Sequence, residues 1–386
     1  MSSPSIRSLI DFVRDYYRSD EFIPLHAPVF RGREKHYLGE TIDSTFVSSV
    51  GHFVSEFEEQ VAAYTASPAA VATVNGSAAL HVALGVAGVG RGDLVITQPL
   101  TFVASCNAIH DCGADPVFVD IDAVNPGLSP AAVANWLEAE CRIDEGGAVR
   151  HTDSGRRVKA CLPMHTFGHP TDLQGLLQVC EHWNLALVED AAESLGSFYH
   201  GRHTGTFGQL GVLSFNGNKI ITTGGGGMIL ADSGDAVRAR HLTTTAKVPH
   251  DYEYIHDDIG FNYRMPNLNA ALGVAQMEQL EGFVAEKRKL ASEYQALLAS
   301  SDLNFVAEPE GCRSNYWLNA VLCPSRRVRD ALLTTTNEEG VMTRPAWQLM
   351  CDLDIYSDCL RGDLTVARDV AGRLVNLPSS VRWSAS

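Results

Sequence analysis

Lys219 is the residue of this chain whose surroundings most clearly indicate chemistry. It follows an apolar run, residues 210–215, that is typical of a buried strand, and it precedes four consecutive glycines, residues 224–227. Glycines let a backbone approach a ligand closely, and a lysine in a partly apolar site can attack a carbonyl carbon to form a Schiff base. The same pattern also fits a glycine-rich hairpin with an ordinary exposed lysine, so other residues must decide between these interpretations.

Asp190 is a second candidate, because it closes a strongly apolar predicted strand, residues 185–188. A buried carboxylate is costly unless it is paired. The nitrogen of a pyridinium ring would be a suitable partner, since the ion pair keeps that nitrogen protonated and makes the ring an electron sink. Asp190 could instead cap the following helix, but Lys219 lies 29 residues downstream after another predicted strand, which favours the catalytic interpretation.

Ser77 and Ser214 indicate a phosphate site. Ser77 lies in a small-residue turn between the first predicted strand of the sheet, residues 71–74, and a helix. Free N–H groups and the positive end of the helix dipole make such a position suitable for an anion, although Ser77 could act only as the N-cap. Ser214 precedes Lys219 by five residues and could give the same phosphate a second hydroxyl.

Phe102 and His165 follow other predicted strands, so both are expected at the same edge of the sheet. Phe102 could offer a flat face for a ring to stack on, or it could be a core residue. His165 could contact a ligand or be a structural histidine with satisfied hydrogen bonds. A phosphate cradle, a stacking ring, a carboxylate for a ring nitrogen and a Schiff-base lysine are together the parts of a pyridoxal phosphate site.

The elements that would position these residues alternate along most of the chain. Short apolar runs are separated by amphipathic stretches, which implies crossover connections and a mostly parallel, buried sheet. From about Asn269 a long helical stretch is followed by a strand-like segment and a further helix. We therefore predict N-terminal helices and a large α/β domain over residues 1–268, and a smaller α+β domain over residues 269–386.

Composition excludes several classes of protein. Of the 386 residues, 45% are hydrophobic and 20% are charged, as in ordinary globular proteins. The formal net charge is −16 and no basic stripe is present, so we expect no nucleic-acid partner. Nine cysteines without a CxxC pair favour reduced thiols in the cytoplasm. The most apolar long window, residues 78–90, is interrupted by His81 and is shorter than the ~18 residues of a membrane span, so no membrane association is expected.

Over nearly its whole length the chain resembles the DegT/StrS family of pyridoxal phosphate-dependent nucleotide-sugar aminotransferases. Four blocks carry the resemblance in matching order and spacing, residues 76–80, 189–192, 214–228 and 260–265. The resemblance implies the type I aminotransferase fold, whose large domain contains a mostly parallel seven-stranded sheet. It also implies a homodimer with shared active sites at the subunit interface.

The resemblance assigns expected roles to individual residues. Lys219 would bind pyridoxal 5'-phosphate covalently and act as general acid and base, Asp190 would face the pyridine nitrogen, Phe102 would stack on the ring and Glu193 would lie near it. The expected phosphate contacts are Ser77, Ala78 and Ser214, with Asn262 contributed by the neighbouring subunit, and Gly76 is a further expected cofactor-binding residue. A branch of the family that dehydrates sugars has histidine at the position of Lys219, so the lysine indicates amino transfer.

Two further blocks, residues 215–219 and 340–347, are most similar to LegC-type enzymes of bacterial legionaminic acid and related cell-surface sugar pathways. This similarity implies a 4-aminotransferase (EC 2.6.1.-) that moves the amino group of L-glutamate to a UDP-linked 4-keto-6-deoxy-N-acetylhexosamine. His165 and Arg344 are the expected substrate contacts. The planar fork of an arginine suits a diphosphate or a carboxylate, although Arg344 could instead form a surface ion pair.

Other functions are weighed against this one. A GDP-4-keto-6-deoxymannose aminotransferase of the perosamine synthase type stays open, and so does a non-catalytic regulator that binds pyridoxal phosphate, although the presence of both Asp190 and Lys219 argues against the regulator. A dinucleotide-dependent dehydrogenase would need a GxGxxG turn after the first strand, which residues 75–80 lack. The sequence leaves the nucleotide base and the stereochemistry of the sugar open.

Overall fold

The structure is a computed structural model that describes residues 4–382. The first three residues of the predicted large domain and the last four of the predicted small domain lie outside this part of the chain. Within it the helices are α1 (Pro4–Tyr17), α2 (Glu34–Asp43), α3 (His52–Thr65), α4 (Gly76–Val86), α5 (Val103–Asp111), α6 (Pro130–Glu140), α7 (Leu173–His182), α8 (Ser233–Thr243), α9 (Asn267–Met277), α10 (Leu280–Leu298), α11 (Arg326–Glu338) and α12 (Thr365–Arg373). Of the helices between residues 4 and 382, none combines the length and the apolarity that crossing a membrane requires.

The strands of the described residues are mostly short. They are β1 (Ala69–Thr73), β2 (Leu94–Thr97), β3 (Asp115–Phe118), β4 (Cys141–Ile143), β5 (Val149–His151), β6 (Val158–Leu162), β7 (Ala186–Asp190), β8 (Phe198–Tyr199), β9 (Arg202–His203), β10 (Leu210–Ser214), β11 (Gly227–Ala231), β12 (Lys247–Val248), β13 (Ile255–His256), β14 (Asn304–Phe305), β15 (Cys312–Arg313), β16 (Asn319–Leu322), β17 (Arg344–Pro345) and β18 (Leu374–Leu377).

The central sheet has seven strands in the order β1-β11-β10-β7-β6-β2-β3. All neighbouring pairs from β10 to β3 are parallel, whereas β11 is antiparallel to both β1 and β10. The predicted mostly parallel sheet is confirmed. An antiparallel pair needs no crossover helix, so the connection from β10 to β11 can stay at the edge of the sheet, and this connection contains Lys219.

Helices cover both faces of this sheet, which is why its strands are apolar throughout rather than alternating. The side chains of β11 show the division, because Met228 and Leu230 pack with α3 and α9, whereas Ile229 and Ala231 pack with α4 and α8. Helices α6 and α7 cover the part of the sheet that includes β2 and β3. These helices cover the faces of the sheet and not the carboxyl ends of its parallel strands, which continue into loops.

The C-terminal part of the chain builds a second sheet, β14-β16-β18-β17, with α10, α11 and α12 around it. Two helices do not follow the predicted domain boundary between residues 268 and 269, because each packs with the domain on the other side of it. Helix α1 shares a core with α10 and α11, where Ile10 and Val13 join Tyr294 and Leu332, and α9 joins the core of the large sheet. Periodicity shows that a helix has an apolar face but not which element covers it, so the sequence could not reveal this exchange.

Candidate active site

A cavity of about 300 Å³ opens where the parallel strands end. Loops that follow β1, β2, β6, β7 and β10 line it, together with Trp317 and Trp347 of the C-terminal part. Its lining includes the predicted residues Gly76, Ser77, Phe102, Asp190, Glu193, Ser214 and Lys219. The position agrees with the rule that ligands of open α/β sheets bind beyond the carboxyl ends of the strands.

Helix α4 begins at this cavity and presents its N-terminus to it. Asn75 is the N-cap, because its side-chain oxygen accepts a hydrogen bond of 2.8 Å from the N–H of Ala78. Ser77 is therefore not the cap, and its exposed side chain is free to contact a ligand. The first N–H groups of a helix have no partner within the helix, so Gly76 and Ser77 offer an anion site. The structure differs from the prediction for Ala78, which is buried, lies outside the lining and has its N–H occupied.

Gly76 is required by the close approach of β10. A Cβ atom at this position would lie 3.1 Å from the Cβ and 3.2 Å from the hydroxyl of Ser214, which is tighter than ordinary van der Waals contact. Glycine therefore lets the hydroxyl of Ser214 reach the start of α4. The two serines and the first turn of the helix form one polar corner of the cavity, as a bound phosphate would need.

Asp190 ends strand β7 and is almost completely buried, with 2% of its surface exposed. Ser105 on α5 donates a hydrogen bond of 2.6 Å to one carboxylate oxygen, and the N–H of Ala192 donates one of 3.1 Å to the other. Burial nevertheless raises the pKa of Asp190, although these hydrogen bonds oppose the shift. A cation in the cavity would stabilise this carboxylate, and a protonated ring nitrogen is such a cation.

Lys219 is largely buried rather than displayed on a hairpin. Its amine donates a hydrogen bond of 3.2 Å to Glu193 Oε1 and lies 4.2 Å from the centre of the Trp317 ring. The other oxygen of Glu193 accepts a hydrogen bond of 2.9 Å from the N–H of Phe167. Burial raises the pKa of Glu193 to about 7, and the charge of Lys219 opposes this shift. The lysine therefore contacts a carboxyl group that titrates near neutral pH.

Phe102 is half-exposed, with 49% of its surface accessible, and it lines the cavity. Its ring centre lies 6.3 Å from that of Trp347. The core interpretation of Phe102 is therefore excluded, since a core phenylalanine would be covered on both faces. One face stays available for a flat ring.

These features fit the cofactor that the resemblance implies. The polar corner at Gly76, Ser77 and Ser214 suits a phosphate, the buried Asp190 suits a protonated ring nitrogen, and the amine of Lys219 suits an aldehyde. Within residues 4–382, no group of histidine, cysteine and carboxylate side chains could hold a metal ion. The arrangement can therefore bind a phosphorylated pyridine aldehyde and exchange a proton beside it.

The structure differs from the prediction for His165, which was expected to contact substrate. Its ring is fully buried, its Nε2 lies 3.1 Å from Glu189 Oε2, and its Nδ1 accepts a hydrogen bond from the N–H of Thr171. Both ring nitrogens are therefore occupied, and the side chain does not line the cavity. His165 is the structural histidine that the sequence left as the alternative.

Asn262 and Arg344 are not among the residues that line the cavity of the described chain. Asn262 is exposed and pairs through its backbone with Thr244, and Arg344 is exposed on the edge strand β17. A contact of either side chain with this cavity would need a second subunit or a movement of the chain. Both assignments stay predictions.

Several residues that line the cavity or support its lining carried no local signal in the sequence. Ser105 sits in an amphipathic helix, 85 residues before the Asp190 carboxylate that it contacts. Trp317 and the cavity-lining Asn218 are joined by a hydrogen bond of 2.6 Å from the indole N–H to the backbone oxygen, although 99 residues separate them. Only their place in the fold brings these side chains to the site.

A model of the DegT/DnrJ/EryC1/StrS aminotransferase family matches residues 29–385 of this chain. Among curated relatives, a protein named GDP-perosamine synthase from Escherichia coli O157:H7 is 34% identical over 360 residues, which cover 93% of each chain. The putative pyridoxal phosphate-dependent aminotransferase EpsN of Bacillus subtilis is 34% identical over 363 residues, covering 92% of this chain and 90% of its own.

Among solved structures, the aminotransferase TlmJ from Streptoalloteichus hindustanus superposes with a TM-score of 0.84 at 28% identity, covering 94% of this chain and 95% of its own. A match of this extent covers most of both the large sheet and the C-terminal part of the fold. The predicted type I aminotransferase fold is confirmed.

The raised pKa of Glu193 predicts a pH dependence of stability. Its pKa is about 7 in the folded protein against an ordinary value of 4.5, so between these values the folded state binds more protons at Glu193 than the unfolded chain. The contribution of this group to the free energy of unfolding therefore falls as pH rises through this window and is constant above it. The test compares the unfolding free energies of the cofactor-free wild type and of Glu193→Gln. We expect the wild type to lose about 1–3 kcal/mol relative to the variant as the pH rises between these two pKa values. Urea unfolding at several pH values measures the difference, and a pH-independent difference would show that Glu193 titrates normally.

Proposed function

Because this chain belongs to the DegT/DnrJ/EryC1/StrS aminotransferase family, we propose that it transfers the amino group of L-glutamate to C4 of a nucleotide-linked 4-keto-6-deoxy sugar. The observation that carries the proposal is that Lys219 and Asp190 line one cavity with the N-terminus of α4. An amine, a buried carboxylate and an anion site are the groups that amino transfer with pyridoxal phosphate requires.

Pyridoxal phosphate is the cofactor, and when bound it supplies an aldehyde that reacts with amines and a ring that takes up electrons from the reacting carbon. Gly76, Ser77 and Ser214 would hold its phosphate, and Asp190 would keep its ring nitrogen protonated. Phe102 would cover one face of the ring. Ser105 orients the Asp190 carboxylate for this contact, because its hydrogen bond fixes one of the two oxygens.

Lys219 would have two tasks in the reaction. Its amine would anchor the cofactor between reactions, and when an incoming amine displaces it, the freed nitrogen would take a proton from the substrate carbon and return it at the next step. Glu193 keeps the amine inside the cavity through the hydrogen bond of 3.2 Å. Trp317 and Trp347 line the same cavity, and their apolar rings would favour exclusion of water around the reacting groups, which strengthens charge interactions.

The acceptor that we propose is a UDP-linked 2-acetamido-2,6-dideoxy-4-ketohexose. The blocks that resemble LegC-type enzymes contribute Asn216, Asn218 and Trp347 to the cavity lining, so the resemblance concerns residues that can touch substrate. Amide side chains can donate to and accept from an acetamido group. A second candidate is GDP-4-keto-6-deoxymannose, which is favoured by the relative named GDP-perosamine synthase.

A homodimer with shared sites completes the proposal. Beside Asn262, the segment around β13 exposes Tyr252, Tyr254 and Ile259, each with more than four-fifths of its surface accessible at 82%, 83% and 82%. Exposed apolar side chains that are clustered in this way are typical of a protein interface. Asn262 would then lie at the edge of that interface and reach the phosphate in the other subunit.

Replacing Lys219 by alanine is expected to abolish covalent attachment of the cofactor and to lower amino transfer by several orders of magnitude, because the variant loses both the anchor and the proton carrier. Borohydride reduction of the wild type, followed by peptide mass spectrometry, should place the cofactor on Lys219. Lys289→Ala, which removes an exposed lysine of α10, is the matched control and should behave as the wild type. Cofactor trapped on any other lysine would contradict the assignment.

The acceptor is tested with a side-by-side panel of UDP- and GDP-linked 4-keto-6-deoxy sugars, each with and without the acetamido group, with glutamate as donor. We expect the UDP-linked acetamido sugar to have a kcat/KM at least about tenfold above the others, since a polar group left without its partner in the cavity weakens binding. Mass spectrometry of the aminated product gives the rates. A preference for GDP-4-keto-6-deoxymannose would replace the proposed acceptor by the second candidate.

Shared sites are tested by mixing Lys219→Ala subunits with Asn262→Ala subunits. A heterodimer with shared sites has one site with both substitutions and one site with neither, so activity should return on mixing although each parent is impaired. Differently tagged subunits allow the heterodimer to be isolated and assayed. Heterodimers without recovered activity would show that Asn262 does not serve the other subunit's cavity.

A further inference from the structure

The amine of Lys219 lies between a carboxylate and the face of an indole ring, an arrangement that anchoring of the cofactor does not require. We propose that Glu193 and Trp317 form a receiving site for the Lys219 ammonium, which positions the amine whenever it is not bonded to the cofactor and stabilises it while it carries a proton. This inference rests on the proposed function, because it concerns the step in which Lys219 is free.

The contacts define the receiving site. The Lys219 amine is 3.2 Å from Glu193 Oε1 and 4.2 Å from the centre of the Trp317 ring. An ammonium within about 6 Å of a tryptophan ring centre is attracted to the ring face. Glu193 and Trp317 are both buried, with 2% and 4% of their surfaces exposed, and the low dielectric of such a place strengthens both attractions. The two groups therefore favour the protonated amine at this position.

Asn315 fixes the two members of the receiving site relative to each other. Its side-chain N–H groups donate to the backbone oxygens of Glu193 and Leu195 at 2.9 and 2.8 Å, and its side-chain oxygen accepts from the N–H of Trp317 at 2.8 Å. The Trp317 indole N–H donates to the backbone oxygen of Asn218, next to the lysine. These hydrogen bonds therefore fix the positions of Glu193, Trp317 and the backbone next to Lys219. None of them uses the face of the indole ring, which stays available to the amine.

Residues with a strained backbone conformation contact or adjoin both Glu193 and Trp317. Phe167, whose N–H binds Glu193, has a φ of 58°, and Tyr316, which precedes Trp317, has a φ of 48°. A positive φ is unfavourable for a non-glycine residue and persists only where the surroundings determine its conformation. Both strained residues place a member of the receiving site, so the arrangement is imposed by the fold rather than left to side-chain freedom.

The receiving site stabilises the protonated lysine but adds no atom or electron to the proton transfer. The lone pair of the Lys219 nitrogen takes the proton, and the electrons of the broken C–H bond stay on the substrate carbon. The lysine becomes an ammonium between Glu193 and Trp317, and it releases the same proton at the next step to become neutral again. No other reagent takes part, since the proton passes only between the substrate carbon and the Lys219 nitrogen, while the Glu193 carboxylate and the indole face stabilise the ammonium.

Three variants separate the two contributions. Glu193→Gln keeps the size and a hydrogen-bond acceptor but removes the charge, Trp317→Leu removes the ring face, and Trp317→Phe keeps a smaller face. Matched controls replace buried residues of the same types outside the cavity. Glu34→Gln and Trp136→Leu serve this purpose, because both residues are buried in other parts of the fold.

The first measurement uses cofactor-free protein and does not depend on activity. Acetic anhydride labels only neutral amines, so peptide mass spectrometry after brief labelling at pH 8 reports the unprotonated share of Lys219. We expect about tenfold faster labelling in Glu193→Gln and in Trp317→Leu, because each loses about 1.4 kcal/mol of preference for the ammonium. Trp317→Phe and both controls should stay within about twofold of the wild type. If Trp317→Leu fails to fold, Glu193→Gln decides.

The second measurement follows the proton itself. Exchange of the α-hydrogen of glutamate with deuterated water, observed by NMR, should slow about 10- to 100-fold in Glu193→Gln, with kcat lowered and the KM for glutamate little changed. Unchanged labelling and exchange in Glu193→Gln and Trp317→Leu, with borohydride still placing the cofactor on Lys219, would overturn the receiving site alone. Cofactor absent from Lys219 in the wild type would instead overturn the proposed function.

Discussion

Three carboxylates at the end of β7 dictate much of the surrounding structure. Glu189, Asp190 and Glu193 are all at least 98% buried, with 0%, 2% and 2% of their surfaces exposed, and a buried carboxylate without partners is too costly to persist. Each has a different solution. Glu189 accepts hydrogen bonds from His165 and from the backbone N–H groups of Gly205, Phe207 and Gly208. Asp190 accepts them from Ser105 and from the N–H of Ala192. Glu193 accepts them from Lys219 and from the N–H of Phe167. Satisfying these groups places the loops that form the cavity.

The different hydrogen-bond partners shift the pKa values of the three carboxyl groups in different ways. Burial alone would raise the pKa of Glu189, but His165 and the backbone N–H groups outweigh it and lower that pKa. Glu189 is therefore an anion at neutral pH, and its hydrogen bonds give it a structural role. Burial prevails at Asp190 and at Glu193, whose pKa values are raised. The two groups that face the cavity are thus the ones that still gain from a cation. The ring nitrogen of the cofactor and the amine of Lys219 are the cations that this chemistry supplies.

The cavity depends on the contact between the large α/β part of the chain and its C-terminal part. The large sheet supplies Lys219, Asp190, Glu193 and the helix N-terminus, whereas the C-terminal part supplies Trp317 and Trp347. Asn315 joins the two contributions through the backbone of Glu193 and Leu195. A buried asparagine with its donors and its acceptor engaged resists displacement, because any shift would leave polar groups unpaired. The aromatic wall is therefore held in register with the residues that carry the chemistry.

The sequence by itself determined the alternation of strands and helices, the mostly parallel sheet and the residues that end its strands, because apolar runs, small-residue turns and a glycine cluster are local patterns. It singled out Lys219 and Asp190 on the same grounds. It did not separate His165, which is buried against Glu189, from the cavity residues, since both kinds follow a strand in the same way. Only the tertiary structure assigned α1 to the C-terminal core, brought Ser105 to Asp190, and placed Trp317 over Lys219. These contacts join residues far apart in the chain, and which of many apolar or polar faces meet is decided by packing of the whole fold rather than by any local pattern.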